Sequence, residues 1–368
     1  MTEADLERLA AQEGARLYLR PLGLATGEAA AELVEEGRAL RIAGGPVAAL
    51  SCEVIVRAGD RTARNVSSCD ALRRWADSSA AARLRVLLRR LESPREGITG
   101  GPRLMGVVNV TPDSFSDGGA HLDPVAALTQ CRALAAAGAD ILDIGGESTR
   151  PGAAPVAPAE EWARVRPVLE GLRELRGEMP RVLISIDTRH AEVMHRAVET
   201  GVDIINDVSA LTGDPDSMAA AASSDARIVL MHMQGTPETM NVAPRYDDVA
   251  LDVFDYLDAR IEACVAAGLD RRRLIVDPGI GFGKRGRENR EILRALTLFH
   301  GLGCPILLGL SRKGLGIGGP ALTPEQREPT SHGAAMHALS MGVQVLRVHD
   351  VAGARQVVEL WRRLAEPG

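Results

Sequence analysis

Eight short apolar runs in the later part of the chain each finish in groups that can bind or react. The endings are Asn109 followed by TPDSFSDGG, GESTRPG at 146–152, Asp187, Asn206 with Asp207, His232, Asp277, the trio Ser311, Arg312 and Lys313, and Arg347 with His349. Asp187, Asn206 and Asp277 offer acceptors and an amide, suited to a flat heterocycle carrying an amino group beside a ring N–H. Lys313 adds a mobile donor for a ring carbonyl or nitrogen. Arg150, Arg347 and His349 are cationic donors that, with helix N-termini, suit a phosphate or diphosphate. Thr111 with Pro112, and Thr149, Arg150 and Pro151, open long glycine-containing loops of the kind that close over a substrate. An aspartate after a strand is also a common helix N-cap, and that reading stays open for Asp187 ahead of TRHAEVMHRAVE. His232, inside LMHMQG, reads as a structural histidine rather than a general base.

Something must bring these endings to one place. The runs are LMGVVNV (104–110), ADILDIG (139–145), VLISIDT (182–188), VDIINDV (202–208), RIVLMHM (227–233), LIVDPGIG (274–281), PILLGLS (305–311) and VQVLRVHD (343–350). Runs apolar on both faces suit parallel strands buried under helices. Eight strand-and-helix units over a stretch close to the usual size of about 250 residues predict a (β/α)8 barrel, whose reacting groups sit at the C-terminal strand ends. The structural alternative is an open doubly wound sheet, which would more often show a nucleotide fingerprint at its first turn. Neither nucleotide motif holds. Gly314 to Gly319 spells GxGxxG but runs into Pro320, and GIGFGKR has Pro278 where a phosphate loop needs glycine and Arg285 where it needs Ser or Thr.

The chain has 368 residues, with 43 basic and 49 acidic side chains and a net charge of −6, which argues against a uniformly basic nucleic-acid binder. No apolar run approaches the ~18 residues of a membrane span, and MTEADLERLA lacks the layout of a signal peptide. Five scattered cysteines without a CxxC pair fit reduced thiols in a cytoplasm. Of the 43 basic residues only Lys284 and Lys313 are lysines. Both fall in glycine-rich segments, where a compact ammonium does what a planar guanidinium cannot.

VNVTPDSFSDGG, GGESTRPGA, SIDT, INDVSAL, LMHMQGTPETM, DPGIGFGK, GLSRK and RVHD, in that order from about 104 to 350, closely resemble the dihydropteroate synthase family. The resemblance implies a TIM barrel, usually dimeric, that joins 6-hydroxymethyl-7,8-dihydropterin diphosphate to 4-aminobenzoate and releases diphosphate with the help of Mg²⁺. It implies that Asn109 holds the magnesium against the diphosphate. Asp187, Asn206, Asp277 and Lys313 match pterin-pocket residues, and Arg347 and His349, aided by Arg150, match diphosphate ligands. Thr149, Pro151, Phe282, Ser311 and Lys313 would border the aminobenzoate site, with Phe115 in the first mobile loop. The catalytic set is then Asp187, Lys313, Arg347 and His349. Lys313→Ala is expected to weaken pterin binding severely and Lys284→Arg to matter much less.

Two rivals share part of this pattern. A methyltetrahydrofolate-binding methyltransferase module would lack the lysine of SRK and the terminal RVHD, and a non-catalytic pterin-binding paralogue would have lost Arg347, His349 or the loop motifs. The glycine-rich stretch after Lys313 departs from the family pattern and bears on where the next helix starts. Residues 1–100 form an accessory unit without a catalytic motif, read as a small α/β or α+β domain of unknown role, and 101–368 form the barrel. In the accessory unit ARLYLR and SCEVIVRAG are strand-like, ATGEAAAELVEEGRAL is helical, and the basic run ALRRWADSSAAARLRVLLRRLE is an amphipathic helix rather than a nucleic-acid face. SPREGITGGP is the linker.

Overall fold

The computed structural model describes residues 3–78, 81–96, 98, 101–111, 123–148, 154–313, 315 and 322–365. After helix α1 (Glu3–Ala10), strand β1 (Arg16–Ala25) leads through α2 (Gly27–Glu35) and the two-residue β2 (Leu40–Arg41) into β3 (Ala48–Ala58) and β4 (Arg61–Ser68). β1 pairs antiparallel with β3 from Arg16 opposite Arg57 to Ala25 opposite Ala48, and β2 and β4 share the other edge of β3.

The basic run at 71–92 is two helices, not the single one expected. α3 (Cys69–Ala76) is capped by Ser68, whose Oγ accepts the N–H of Ala71 at 3.2 Å, and α4 (Ala82–Glu92) follows. The break falls at Asp77 and Ser78, residues whose side chains compete for backbone partners. α4 buries Leu84, Leu87, Leu88 and Leu91, the spacing of a helix lying on a core.

All eight apolar runs are strands. In chain order they and their helices are β5 (Arg103–Asn109), α5 (Pro124–Ala136), β6 (Ile141–Gly145), α6 (Pro158–Glu174), β7 (Leu183–Asp187), α7 (Ala191–Thr200), β8 (Ile204–Asp207), α8 (Ser217–Ala222), β9 (Arg227–Met231), α9 (Val249–Ala266), β10 (Leu274–Asp277), α10 (Gly286–Arg294), β11 (Leu307–Gly309), α11 (Glu328–Ser340), β12 (Val345–Val348) and α12 (Val351–Ala365). The strands pair in parallel in the order β10-β9-β8-β7-β6-β5-β12-β11, and a parallel bridge from Val276 to Ile306 closes the ring. This is a (β/α)8 barrel, and the open-sheet alternative is excluded.

The barrel interior changes character along its axis. At the N-terminal end each strand contributes one apolar side chain: Met105, Ile141, Leu183, Ile204, Val229, Ile275, Leu307 and Val345. Ile98, from the expected linker, packs into the same cluster and plugs the floor. Nearby Arg95 is buried and donates to the carbonyls of Arg90, Ser93 and His300 at 2.7 to 3.0 Å, which ties down the start of this stretch. Towards the C-terminal end the inward groups become polar and charged. No helix among the described residues is long and apolar enough to cross a membrane.

Candidate active site

Asp143 sits in β6 two residues before its end, fully buried. Its carboxylate accepts from Ser185 Oγ at 2.6 Å, Asn206 Nδ2 at 3.1 Å and Arg347 Nε at 2.7 Å. Arg347 Nη2 donates in turn to Asp187 at 2.6 Å. One guanidinium from β12 is thus shared by two carboxylates from β6 and β7, and the amide from β8 is held beside them. Burial pushes Asp187 up to about 8, with Arg347 opposing the rise and Asp143, Glu161 and Asp207 adding to it. Arg347 is raised by the same two carboxylates against its own burial. With Asp187 ionised the cluster would hold one more negative charge than its arginine neutralises, so a ligand that is, or becomes, cationic favours that form.

The cap reading for Asp187 fails. His190 occupies the N-cap position of α7, and the first helical N–H, of Ala191, is taken by Asp214 at 2.9 Å. Asp207, by contrast, is structural: buried, it accepts from Ser209 N–H and Oγ and from Leu211 N–H at 2.6 to 2.9 Å, holding a turn in which Ala210 and Leu211 have positive φ.

On the far side of the mouth, residues 278–284 fold around an ammonium. Lys284 Nζ is buried and donates to the carbonyls of His232, Gly279 and Phe282 at 3.1, 2.9 and 2.9 Å. Burial lowers its pKa well below the ordinary value, Asp277 opposing, yet only the charged form has three N–H groups for three carbonyls. Gly279 has φ +69, and a Cβ there would lie 2.0 Å from the His232 carbonyl oxygen, so the loop needs glycine. The Gly279 N–H meets Asp277 Oδ1 at 2.7 Å. The resemblance to a phosphate loop is therefore only in letters: the carbonyls point inward to a lysine, where a phosphate loop would offer N–H groups.

Lys313 reaches over this loop. Its Nζ donates to the Ile280 carbonyl and lies 4.8 Å from the centre of the Phe282 ring. Burial lowers it to about 8, with Asp277 resisting and Arg347 assisting. Asp277 is itself raised by burial, against the pull of Lys313. Arg312, just before, has φ +63, a strained conformation for a residue with a side chain. It is held there from α11, its N–H by Ser331 Oγ at 2.9 Å and its Nε by Glu328 at 2.7 Å. Ser311 Oγ meets both the N–H and Nδ1 of His349, at 3.2 and 3.1 Å, joining β11 to β12 at the rim.

Comparison with known proteins fixes the family. A model described as "Pterin binding enzyme" matches residues 105–349. A dihydropteroate synthase of Neisseria meningitidis serogroup B is 46% identical over 272 residues, 72% of this chain and 93% of that protein. The chain belongs to the dihydropteroate synthase family. Two solved synthases share its fold. The enzyme of Yersinia pestis, in a sulfonamide drug complex, is 40% identical with a TM-score of 0.67, covering 72% of this chain and 94% of that one. The enzyme of Xanthomonas albilineans, with 4-aminobenzoic acid, is 46% identical with a TM-score of 0.66, covering 72% and 93%.

Within the synthase barrel, Asp187, Asn206, Asp277, Ser311, Lys313, Arg347 and His349 all lie at the C-terminal strand ends, on β7, β8 and β10 to β12 or immediately beyond them. Asn109 ends β5, half-buried, beside Gly145 of β6. Phe282 packs against the apolar cluster of Val208, Met231, Met233 and Met240, and the Lys313 ammonium lies over its ring. Thr149, Arg150, Pro151 and Phe115 lie outside the described residues. His232 is buried against Tyr246 and Tyr256, and burial lowers it to about 2, which makes it a weak proton acceptor and accords with a structural role.

Two site residues escaped the reading of strand ends. Asp143 lies inside its run, and Lys284 stands out in the sequence only as one of two lysines. Among the described residues one group could gather a metal, Glu328, His332 and Asp350. Its members already have partners: Arg312 for Glu328, and His332 with Asp350 at 3.1 Å.

Proposed function

We propose that the C-terminal mouth of the barrel binds a pterin diphosphate and 4-aminobenzoate and joins them. The observation that carries this reading is the buried array of Asp143, Asp187 and Asn206 around Arg347, facing Asp277 and Lys313. These acceptors and donors match the edge of an aminated heterocycle, and the excess of carboxylate matches a ring that turns cationic. In the reaction the C–O bond between the pterin exocyclic carbon and diphosphate breaks, and the electron pair leaves with diphosphate. The arylamine nitrogen supplies the pair for the new C–N bond and loses a proton to solvent. Positive charge delocalised into the ring is stabilised by Asp187 and Asp143, which act at low dielectric without reorganising. That charge also favours ionised Asp187, reversing the rise caused by burial. The arylamine is already nucleophilic, so no strong base is required.

Arg347 engages its two carboxylates through Nε and Nη2, and among the described residues Nη1 has no partner. It is positioned to meet the leaving diphosphate while it keeps the pterin acids in place, and His349, steadied by Ser311, joins it. Lys313 and Phe282 form one wall towards 4-aminobenzoate, and the family resemblance adds Thr149, Pro151 and Phe115 there and Arg150 towards the diphosphate, all four outside the described residues. Asn109 fits a magnesium site: its amide oxygen is a hard neutral donor without a hydrogen bond to another described residue, and Mg²⁺ bound to a diphosphate needs few protein ligands. Bound there, the ion would neutralise charge on the leaving group. The five cysteines are buried and unpaired, which accords with a cytoplasmic protein, and we carry forward the homodimer usual in the family.

The test is equilibrium binding of the pterin alcohol and its diphosphate ester to wild type and Arg347→Met in the presence of Mg²⁺. Wild type should favour the ester by about tenfold or more, and the variant should lose most of that preference. Equal affinities in wild type would remove the anion site from this mouth.

A further inference from the structure

We propose that the N-terminal unit, which lies outside the span matched by the pterin-binding family model, positions the aminobenzoate wall of the site by acting through Arg57 and Arg64 on the loop that runs into α9. The inference rests on the placement of Phe282 in that wall. α9 and its cap carry acids at 248, 252, 255, 258 and 262, a spacing of three and four that lines them along one face. Every one is met by an arginine of the N-terminal unit. Arg64 pairs with Asp248, Arg57 with Asp252 at 2.8 Å and Asp255 at 3.4 Å, Arg16 with Asp255 at 2.5 Å, and Arg90 with Asp258 and Glu262 at 3.3 and 3.2 Å. Tyr18 is buried at this junction, with its hydroxyl 2.9 and 3.0 Å from the two oxygens of Asp255 and its ring edge-on to Phe254. Single exposed ion pairs do little, but a partly buried network of shared partners is the exception.

The first two acids also hold backbone. Asp248 accepts the N–H groups of Ala250 and Leu251 at 3.1 and 3.2 Å as the N-cap of α9. The oxygen of Asp252 that Arg57 leaves free accepts the N–H groups of Asp247 and Asp248 at 2.9 and 3.2 Å. Immediately upstream, Tyr246 donates to the Gly283 carbonyl at 2.8 Å, next to Phe282. The loop is closed by Gln234 against the backbone of Arg245 at 2.7 and 3.1 Å, and Met240 from its middle packs on Phe282. From Arg64 to Phe282 the path is Asp248, Tyr246 and Gly283, with direct contacts joining the elements. Asp143 on β6, Asp187 on β7 and Arg347 on β12 are not on this path.

The experiment uses the full chain with Arg57→Met and Arg64→Met together, and Arg64→Met alone in case the pair does not fold. Amide exchange at 240–248 and 282–284 should quicken while the β6 and β7 amides stay slow. The KM for 4-aminobenzoate should rise about fivefold with kcat and the pterin KM changed by less than about twofold, and Arg57→Lys with Arg64→Lys should restore most of it. Unchanged loop exchange and an unchanged aminobenzoate KM, with only a lower Tm, would overturn the proposal and leave the unit as a cover for the barrel. Quickened loop exchange with an unchanged aminobenzoate KM would uphold the coupling and instead contradict the placement of Phe282 at the aminobenzoate site.

Discussion

Arg347 Nη2 lies 2.6 Å from the carboxylate of Asp187, across the barrel mouth from β12 to β7. The residue expected to serve the diphosphate and the residue expected to serve the pterin are therefore one ion pair, with Asp143 as its third member. On the proposed function, binding of one half of the substrate and departure of the other would be linked through a single guanidinium.

Asp187→Asn should lower kcat by about 10² to 10³, because it removes charge where the cation develops. Its Tm should stay within a few degrees of wild type, since Asp143 still balances Arg347 and Asp187 caps no helix. Steady-state kinetics and calorimetry on the same preparation check both halves.

Lys313 should titrate in the assay range. With its pKa lowered to about 8, it is charged below that pH and loses its charge as pH rises through it, so affinity for the pterin diphosphate should fall above pH 8. Asp277 holds Lys313 up, so Asp277→Asn should move this limb to lower pH. A binding profile flat from pH 6 to 10 would contradict the role given to Lys313.

Lys284→Arg is expected to matter much less than Lys313→Ala for pterin binding, and the three carbonyls around Lys284 add an expected cost in stability. A planar guanidinium cannot place three donors on three carbonyls converging on one point. Lys284→Arg and Lys284→Met should each destabilise by about 2–4 kcal/mol, from buried carbonyls left without donors. Lys313→Ala should instead weaken binding more than it lowers stability. Denaturant unfolding beside ligand titration separates the two lysines.

Gly279→Ala should be among the most damaging single changes in the barrel, because its Cβ would meet backbone rather than a movable side chain. A loss of about 3 kcal/mol or more is expected from unfolding curves.

The barrel was legible because buried parallel strands must be apolar on both faces, which marked all eight runs. Their polar endings likewise showed Asp187, Asn206, Asp277, Lys313, Arg347 and His349 converging on one mouth. Asp143 lies inside its strand rather than at the polar ending; a carboxylate in the middle of ILDIG is itself the signal, since a charge inside a buried strand needs partners. Lys284 stood out by type, but the carbonyls of His232, Gly279 and Phe282 that hold it are brought together by a loop whose glycines at 279, 281 and 283 have positive φ, an effect that appears only in three dimensions. The break between α3 and α4 was masked by a pattern that stays amphipathic across it. The grip of Arg57 and Arg64 on α9 joins segments nearly two hundred residues apart, which no local pattern reports.

The most direct test of the central claim is diphosphate release by the purified chain with pterin diphosphate and Mg²⁺, with and without 4-aminobenzoate. Release that depends on aminobenzoate, with dihydropteroate formed and with competitive inhibition by a sulfonamide, is the predicted result. A folded protein that binds the pterin diphosphate but releases no diphosphate when aminobenzoate is added would contradict it.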